Sequence, residues 1–541
     1  MKTIIKKRFS FLLFVSVCFG MLSQSCADFL STEPQDFTAP EDFYKNEKQL
    51  MASLTSIYST LSDSRLYGAN YINRMGADGE ENYYRTDEKE NVALLKFNAS
   101  NIDISNFWDN LYVGINHANM LLANIDDAEM TNEENRDVIR GEALFLRGYF
   151  YFLLVTNFGD VPLVVTPTLS LDNLKVPRTS SAEVYKQITG DMETAFDLVQ
   201  TAEELGYGGR VSKSAVAGIL ARVYLHWAGE PVKDTSKYAD ARKWALTVMT
   251  PESVQFTHEL ISYEEVFKNY AADKYDIKES IWEVEFYGNN TGTYKMAGRV
   301  GDLNGIRSAA SSSMGNANGK LRATATQFFK YEDDDDDESG YTDIRRDLAI
   351  ASFSYKGDAK EYRTDDKTQI WGRDVGKYRR EWEVVFPKTT YTPINYPLLR
   401  YSDVLLMFAE ADNFVNNGPT KEALDAVNLV RGRAEASLLE GDNIPSGSQD
   451  FLRFLQEERS RELCFESLRK GDLIRWGIYI DTFRAMVATY KNTPDDGSTG
   501  LSSSVKQLVM GLDRIEKKHL LWPIPTNERA VNSLLSQNEG W

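Results

Sequence analysis

The sequence predicts a mostly α fold in which paired helices support a loop-rich half with a few short strands. Three observations predict it. Apolar residues recur at spacings of three and four over most of the chain from Glu47 to Val248, and again from Val404 to Arg433. In both regions the clearest helices come in adjacent pairs with small residues on one side. Between the two regions, residues 251–397 lose helical periodicity and become Gly-, Ser- and Asn-rich around one alternating stretch, Ile281 to Phe286.

Taken in order, the first helical pattern starts near Glu47 and places Leu50, Leu54, Ile57, Tyr58 and Leu61 on one face. Periodicity is then lost from Leu66 to Ser105, a charged stretch that reads as loop. Trp108, Leu111, Tyr112, Ile115, Asn119 and Leu122 mark the next helix, with Trp108 and Tyr112 expected in the core. Another runs from Glu133 to Val155 and ends at Phe158-Gly159-Asp160-Val161-Pro162, because Gly and Pro do not continue a helix cheaply. Ser181 to Val199 follows. Ser214 to Ala228 carries Ala217, Leu220, Ala221 and Tyr224 on one side, Glu230-Pro231 breaks it, and Tyr238 to Val248 carries Ala241 and Ala245. The pattern returns as Val404 to Phe414, a break at Asn417-Gly418-Pro419, and Lys421 to Arg433 with Ala423, Ala426 and Val430. Small residues at these spacings let antiparallel helices approach closely. Such pairs resemble tetratricopeptide repeats, without a regular period.

The chain opens with Lys2, Lys6, Lys7 and Arg8, continues with an apolar run from Phe9 to Leu22, and reaches Leu22-Ser23-Gln24-Ser25-Cys26. A basic head, a short apolar run and small residues make a secretion signal. The cysteine at its end looks like a bacterial lipoprotein signal, in which Cys26 is acylated and becomes the first mature residue. The expected organisation is a signal peptide at 1–25 and a body at 26–541, the latter divided into an N-terminal helical part (27–250), a loop-rich part (251–397) and a helix pair with a C-terminal part (398–541).

The formal charge is −19, and about −23 without the four basic residues of the signal. An acidic body argues against nucleic acid and against adhesion to anionic lipid. Three cysteines occur, Cys18, Cys26 and Cys464. With Cys18 removed and Cys26 acylated, Cys464 has no disulfide partner, and its place between Leu463 and Phe465 reads as a small buried residue. The four histidines are scattered, with no HExxH and no CxxC, so zinc is not expected. No cofactor is expected. The acidic run Asp333 to Asp337 suits a hard cation by chemistry but lacks the spacing of a calcium loop, and reads as a solvated loop.

Arg459-Ser460-Arg461-Glu462-Leu463-Cys464-Phe465-Glu466, followed by Arg469 and Asp472-Leu473-Ile474-Arg475-Trp476-Gly477, resembles the SusD/RagB family of surface lipoproteins. So do Leu399 to Ala411, Glu142 to Tyr149, Phe158 to Pro162 and Asp343-Ile344-Arg345. The ending Leu521-Trp522-Pro523-Ile524-Pro525, with Glu528, Asn532, Gln537-Asn538 and Gly540-Trp541, is similar to that family's tail. Ser467 departs from the family's common Gly, and Glu539 from its common Pro. The resemblance implies four tetratricopeptide-like helix pairs backing a loop-rich ligand half. It implies a non-catalytic, lipid-anchored protein on the outer face of the outer membrane. Such a protein captures glycans, or in some members peptides, for a SusC-type TonB-dependent transporter. A surface glycoside hydrolase is the alternative from another class. It needs two carboxylates across a cleft, and no motif singles out such a pair.

Arg459, Arg461, Glu462, Glu466, Arg469 and Asp472 alternate in sign at helix-like spacing, which reads as a partly buried ion-pair network pinning the loop-rich half to the helices. Ligand contacts do not transfer from the family, because they vary among its members. A sugar offers a C–H face and a hydroxyl rim, so exposed loop aromatics beside Asn, Asp or Arg are the candidates. They are Asp78, Tyr83, Tyr84 and Arg85; Tyr287, Asn289 and Asn290; Tyr294; and Trp371 with Arg373.

Overall fold

The Asn46 side chain accepts the Gln49 N–H at 3.1 Å, capping the first helix, α1 (Glu47–Ser62). The same device starts most long helices of the N-terminal part. Asn101 caps α2 (Ile102–Asn124), Asn132 caps α3 (Glu133–Phe158), Ser180 caps α4 (Ser181–Leu198) and Ser212 caps α5 (Lys213–Ala228); α6 spans Lys237–Met249. These elements belong to a computed structural model that describes residues 43–541 except 77–78, 86–91, 169–174, 293–294, 334–340, 363–369 and 493–502. The expected signal and Cys26 lie outside the described residues, as do Asp334 to Asp337 of the acidic run.

Each helix from α1 to α6 packs against the next, so the helices follow one another in space as they do in sequence. The close approaches are visible at glycines. A Cβ on Gly114 of α2 would meet Phe150 Cε2 of α3 at 2.6 Å and Thr60 Cγ2 of α1 at 2.9 Å. After α7 (Tyr263–Ala271) the chain leaves regular helix, and it returns as α8 (Tyr401–Asn416) and α9 (Lys421–Arg433). Helix α8 packs on α6 and α9, closing the series of four pairs: α1–α2, α3–α4, α5–α6 and α8–α9. The tetratricopeptide-like arrangement is therefore present, with its last pair about 150 residues removed in sequence. Helices α10 (Gly447–Leu463), α11 (Arg469–Arg475), α12 (Tyr479–Asn492) and α13 (Ser503–Leu512) follow.

The strands are β1 (Asn82–Tyr84), β2 (Ser280–Val284), β3 (Leu321–Ala323), β4 (Phe353–Lys356), β5 (Ala359–Tyr362) and β6 (Tyr396–Arg400). They form three antiparallel pairs: β1–β3, β2–β6 and β4–β5. Two expectations change here. Residues 66–105 are not featureless, for they hold a π-helical turn at Tyr71–Met75 and strand β1. The alternating stretch at 281–286 is a strand only to Val284, and all five residues of that strand, Ser280–Val284, are buried, because β6 and α5 cover it.

The alternating charges of α10 and α11 are the joint of the molecule. Glu462 accepts from Arg400 (2.9 Å), Arg433 (2.6 Å) and Arg345 (3.1 Å), and Glu466 accepts from Lys377 (2.6 Å) and Arg400 (2.8 Å). Arg469 reaches back to Glu80 at 2.6 Å, and Arg459 joins Asp403 and Asp472. Arg345 and Lys377 come from the loop-rich part, Arg400 and Arg433 from the helix-pair part, and Glu80 from the N-terminal part. The expected pinning network is present, and it is fully rather than partly buried. The guanidinium groups hold Glu462 well below the usual carboxylate range against the opposing effect of burial. Cys464 is buried, 3.3 Å from the Tyr331 hydroxyl, and burial pushes its thiol up to about 12.

The family-like tail is built into the helical part. The Trp522 N–H donates to Asn157 O at 2.7 Å, and Asn538 Nδ2 donates to Phe158 O at 2.9 Å, which ties the tail to the end of α3. Gly159, at φ +72°, ends that helix. Ser467, standing where the family commonly has Gly, is at φ +58°, a left-handed backbone that favours glycine. Its hydroxyl shares a 3.0 Å hydrogen bond with the Tyr396 hydroxyl.

Candidate functional site

Burial divides the ten candidate residues. Tyr83 is fully buried: its hydroxyl donates to the Trp371 carbonyl, and Trp371 is fully buried too. Both were expected to be exposed, and both are core. The reason is strand pairing. Tyr83 lies opposite Arg322 in the β1–β3 ladder, and strand β1 is buried on both faces. Tyr84 is buried as well, within 5.9 Å of the Lys320 and Arg74 charges. Arg373 is fully buried with its guanidinium 4.8 Å from the centre of the Phe328 ring. Arg85 is half-buried and donates to Asn318 O at 2.9 Å. Asp78 and Tyr294 lie outside the described residues.

The 287–290 group behaves differently. Tyr287 is 56% exposed. Its backbone N–H donates to Met296 O at 3.2 Å, and Met296 is also exposed. Asn290 stands at φ +60° and its side chain accepts the Ala297 N–H at 3.1 Å, so this asparagine closes the loop between them. Asn289 is buried and structural. It accepts from Thr291 through Oδ1 and donates to Pro387 O at 2.7 Å through Nδ2.

That last bond joins the 287–298 loop to a second one. Thr389 Oγ1 donates to Asn289 O at 2.9 Å, and Gly298 and Thr392 exchange backbone hydrogen bonds of 3.1 and 2.8 Å. The second loop carries Phe386, 69% exposed, and Tyr391, also exposed. Lys388 lies 5.3 Å from the Phe386 ring centre, and its partial burial lowers its ammonium below the usual lysine range. The two loops, tied through backbone and Asn289, thus present Tyr287, Met296, Phe386 and Tyr391 to solvent. Exposed aromatic planes on hydrogen-bonded loops are pre-ordered for stacking on a flat apolar ligand face. Phe386 and Tyr391 were not among the sequence candidates. The criterion that selected Tyr287, a loop aromatic beside polar residues, applies equally to Phe386-Pro387-Lys388-Thr389-Thr390-Tyr391.

Among the described residues, no group of three or more His, Cys, Asp or Glu side chains is arranged to hold a metal, and no helix is long and apolar enough to cross a membrane.

Known proteins resemble this chain over nearly all its length. Residues 278–541 match the model of the SusD family, and residues 28–225 match a model described as starch-binding associating with outer membrane. SusD-like protein P25 of Formosa agariphila is 26% identical over 95% of each chain. A SusD-like protein of Bacteroides ovatus is 23% identical over 85% of this chain and 81% of its own. A crystal structure of a SusD homolog from Bacteroides thetaiotaomicron superposes with a TM-score of 0.82 at 29% identity, covering 93% of this chain and 98% of that one. A laminarin binding SusD-like protein shares the fold at 20% identity and a TM-score of 0.70, covering 92% and 100%. With both halves matched by models of one kind and the whole fold shared, the chain belongs to the SusD/RagB family.

Proposed function

We propose that this protein is a non-catalytic glycan-binding lipoprotein of the outer membrane. It captures oligosaccharides or polysaccharides and delivers them to a SusC-type TonB-dependent transporter. The observation that carries the binding role is the exposed aromatic surface of the two tied loops, Tyr287 with Phe386 and Tyr391. A sugar ring lays its C–H face on such planes and turns its hydroxyls to polar neighbours. Family membership and the starch-binding description of the N-terminal match support the glycan class. The outer-membrane wording of the same description supports the location, with acylated Cys26 as the tether. In this reading the chain after residue 26 divides functionally into the helical support (27–250 and 398–541) and the ligand half (251–397).

Isothermal titration of the purified body against a panel of neutral and acidic polysaccharides tests the binding role. Saturable binding that falls about tenfold in Tyr287→Ala supports it. Binding to peptides with none to any glycan replaces the ligand class, and release of reducing ends by the pure protein overturns the non-catalytic assignment.

A further inference from the structure

A cleft of about 220 Å³ opens between α1, the turn at residues 206–210 and the end of β2, apart from the two aromatic loops except for Met296, which lines it too. Glu285 forms one wall. The Glu283 N–H donates to Gly208 O at 3.0 Å, which holds the turn against the strand. The Glu285 carboxyl then lies on the backbone of Gly209 so closely that a Cβ there would sit 2.2 Å from Glu285 Cδ. Its Oε1 is buried, and among the described residues no donor reaches it.

The cation nearest at hand is already engaged. Arg210, also in the wall, is bound to Glu142 through Nη2 and Nε, and the Tyr58 hydroxyl donates to the same carboxylate. Among the described residues no cation pairs with Glu285. Its charged surroundings are of its own sign: Asp273 and Glu283. Two phenol rings stand beside it, Tyr207 and the half-exposed Tyr275, with centroids 5.5 Å apart and planes at 49°. Glu285 as a whole is half-buried, but a carboxylate oxygen withdrawn from water without a partner is costly, and aromatic faces attract cations.

We propose that this cleft binds the primary ammonium group of a small ligand, with Glu285 as its counter-ion and Tyr207, backed by Tyr275, against the ligand's carbon chain. The site adjoins the glycan surface at Met296 but does not rest on that reading. Burial first, then Asp273, pushes Glu285 up to about 7. Burial does the same to Glu283, whose carboxyl is already bonded by Ser280 and Asn395. The remaining titratable groups that line the cleft are Tyr58, Tyr207 and Arg210, with Tyr275 packed on Tyr207 and Glu142 closing the Arg210 pair behind them. A bound ammonium favours ionised Glu285, so binding releases a proton and tightens as pH rises from 6 to 8.

The experiment is a titration of the whole body, followed by calorimetry, with two charged probes and their neutral counterparts. Nα-acetyl-lysine methylamide is compared with Nα-acetyl-norleucine methylamide at pH 6, 7 and 8, and glucosamine with glucose at pH 7. The expected result is at least a fivefold preference for one charged probe over its counterpart; which probe it is separates a peptide source from an amino-sugar source. The lysine probe, if bound, tightens severalfold from pH 6 to 8. Glu285→Gln is expected to abolish the preference, and Tyr275→Ala, at an exposed position, to weaken it about threefold. Equal binding of charged and neutral probes, or a preference that survives in Glu285→Gln, overturns the proposal. Failure here leaves the polysaccharide titration of Tyr287→Ala untouched, so the two readings are tested independently.

Discussion

The Arg400 guanidinium meets the Glu462 carboxylate at 2.9 Å, and neither side chain has any contact with solvent. Arg400 sits where β6 becomes α8, at the point where the chain re-enters the helical support, and Glu462 near the end of α10; the same Glu462 carboxylate also takes Arg345 of the ligand half at 3.1 Å, so it joins the two parts.

Breaking the pair from one side leaves the other charge buried. Glu462→Ala is expected to destabilise the protein by about 3–5 kcal/mol, read as a lower guanidinium midpoint with an unchanged slope. Loss of less than about 1 kcal/mol would mean that the network relaxes around the gap.

Acid should loosen the same joint. Glu462, Glu458, Glu80 and Asp472 are all held below the usual carboxylate range, the arginines and Lys330 outweighing burial. A depressed folded value contributes stability that is present above the unfolded value of about 4 and is lost as pH falls through the folded one. The unfolding free energy should therefore decline steadily below about pH 4, and Glu462→Gln should flatten that decline. Denaturant titrations at pH 3, 4 and 5 check it.

Buried and exposed aromatics should part company. Tyr83→Ala and Trp371→Ala are expected to cost about 3–5 kcal/mol of stability each. Phe386→Ala and Tyr391→Ala should leave the melting temperature within about 1 °C and weaken glycan binding by up to about tenfold, since a stacked ring contributes about 0.5–1.5 kcal/mol. An unchanged affinity in both loop variants would move the glycan surface elsewhere.

The helix pairs depend on close approach. Gly114→Val should cost about 1–3 kcal/mol by overpacking against Phe150 and Thr60, although valine has the better helix propensity. Thermal unfolding reads the sign directly.

Cys464 should be silent. In a body lacking residues 1–42 it is the remaining cysteine, buried and with its thiol raised to about 12. A chromogenic disulfide reagent should titrate no thiol in the native protein and one in guanidinium. In the full chain, Cys26→Ala should release the protein from membranes with its melting temperature unchanged, measured by fractionation and calorimetry.

Much of this molecule is legible in its sequence, for identifiable reasons. The expected starts near Glu47, Glu133 and Ser181 fall where α1, α3 and α4 begin, because the helical period repeats within a few residues; the side-chain caps at Asn46, Asn132 and Ser180 are what the structure adds. The charge alternation of α10 and α11 foretold an ion-pair network, because a helix fixes which residues share a face. The candidate site was less legible. Tyr83 and Tyr287 both read as loop aromatics beside polar residues. Tyr83 is buried because Arg322 of strand β3, 239 residues later, pairs with it, whereas Tyr287, just past the end of β2, is 56% exposed. Phe386 and Tyr391 acquire their place through long-range ties, the Asn289 hydrogen bond across 98 positions to Pro387 and the backbone bonds between Gly298 and Thr392.

The sequence by itself determined the helical period, the breaks at Gly and Pro, and the charge pattern of the joint, since each is set within a few turns of chain. Tertiary structure alone decided which arginine meets which glutamate, that α8 returns to lie on α6, and which aromatics reach solvent. It also decided that, among the described residues, no cation pairs with Glu285 while Arg210, beside the same cleft, is taken by Glu142. Burial and pairing are properties of neighbours in space, and those neighbours are named only when distant segments pack.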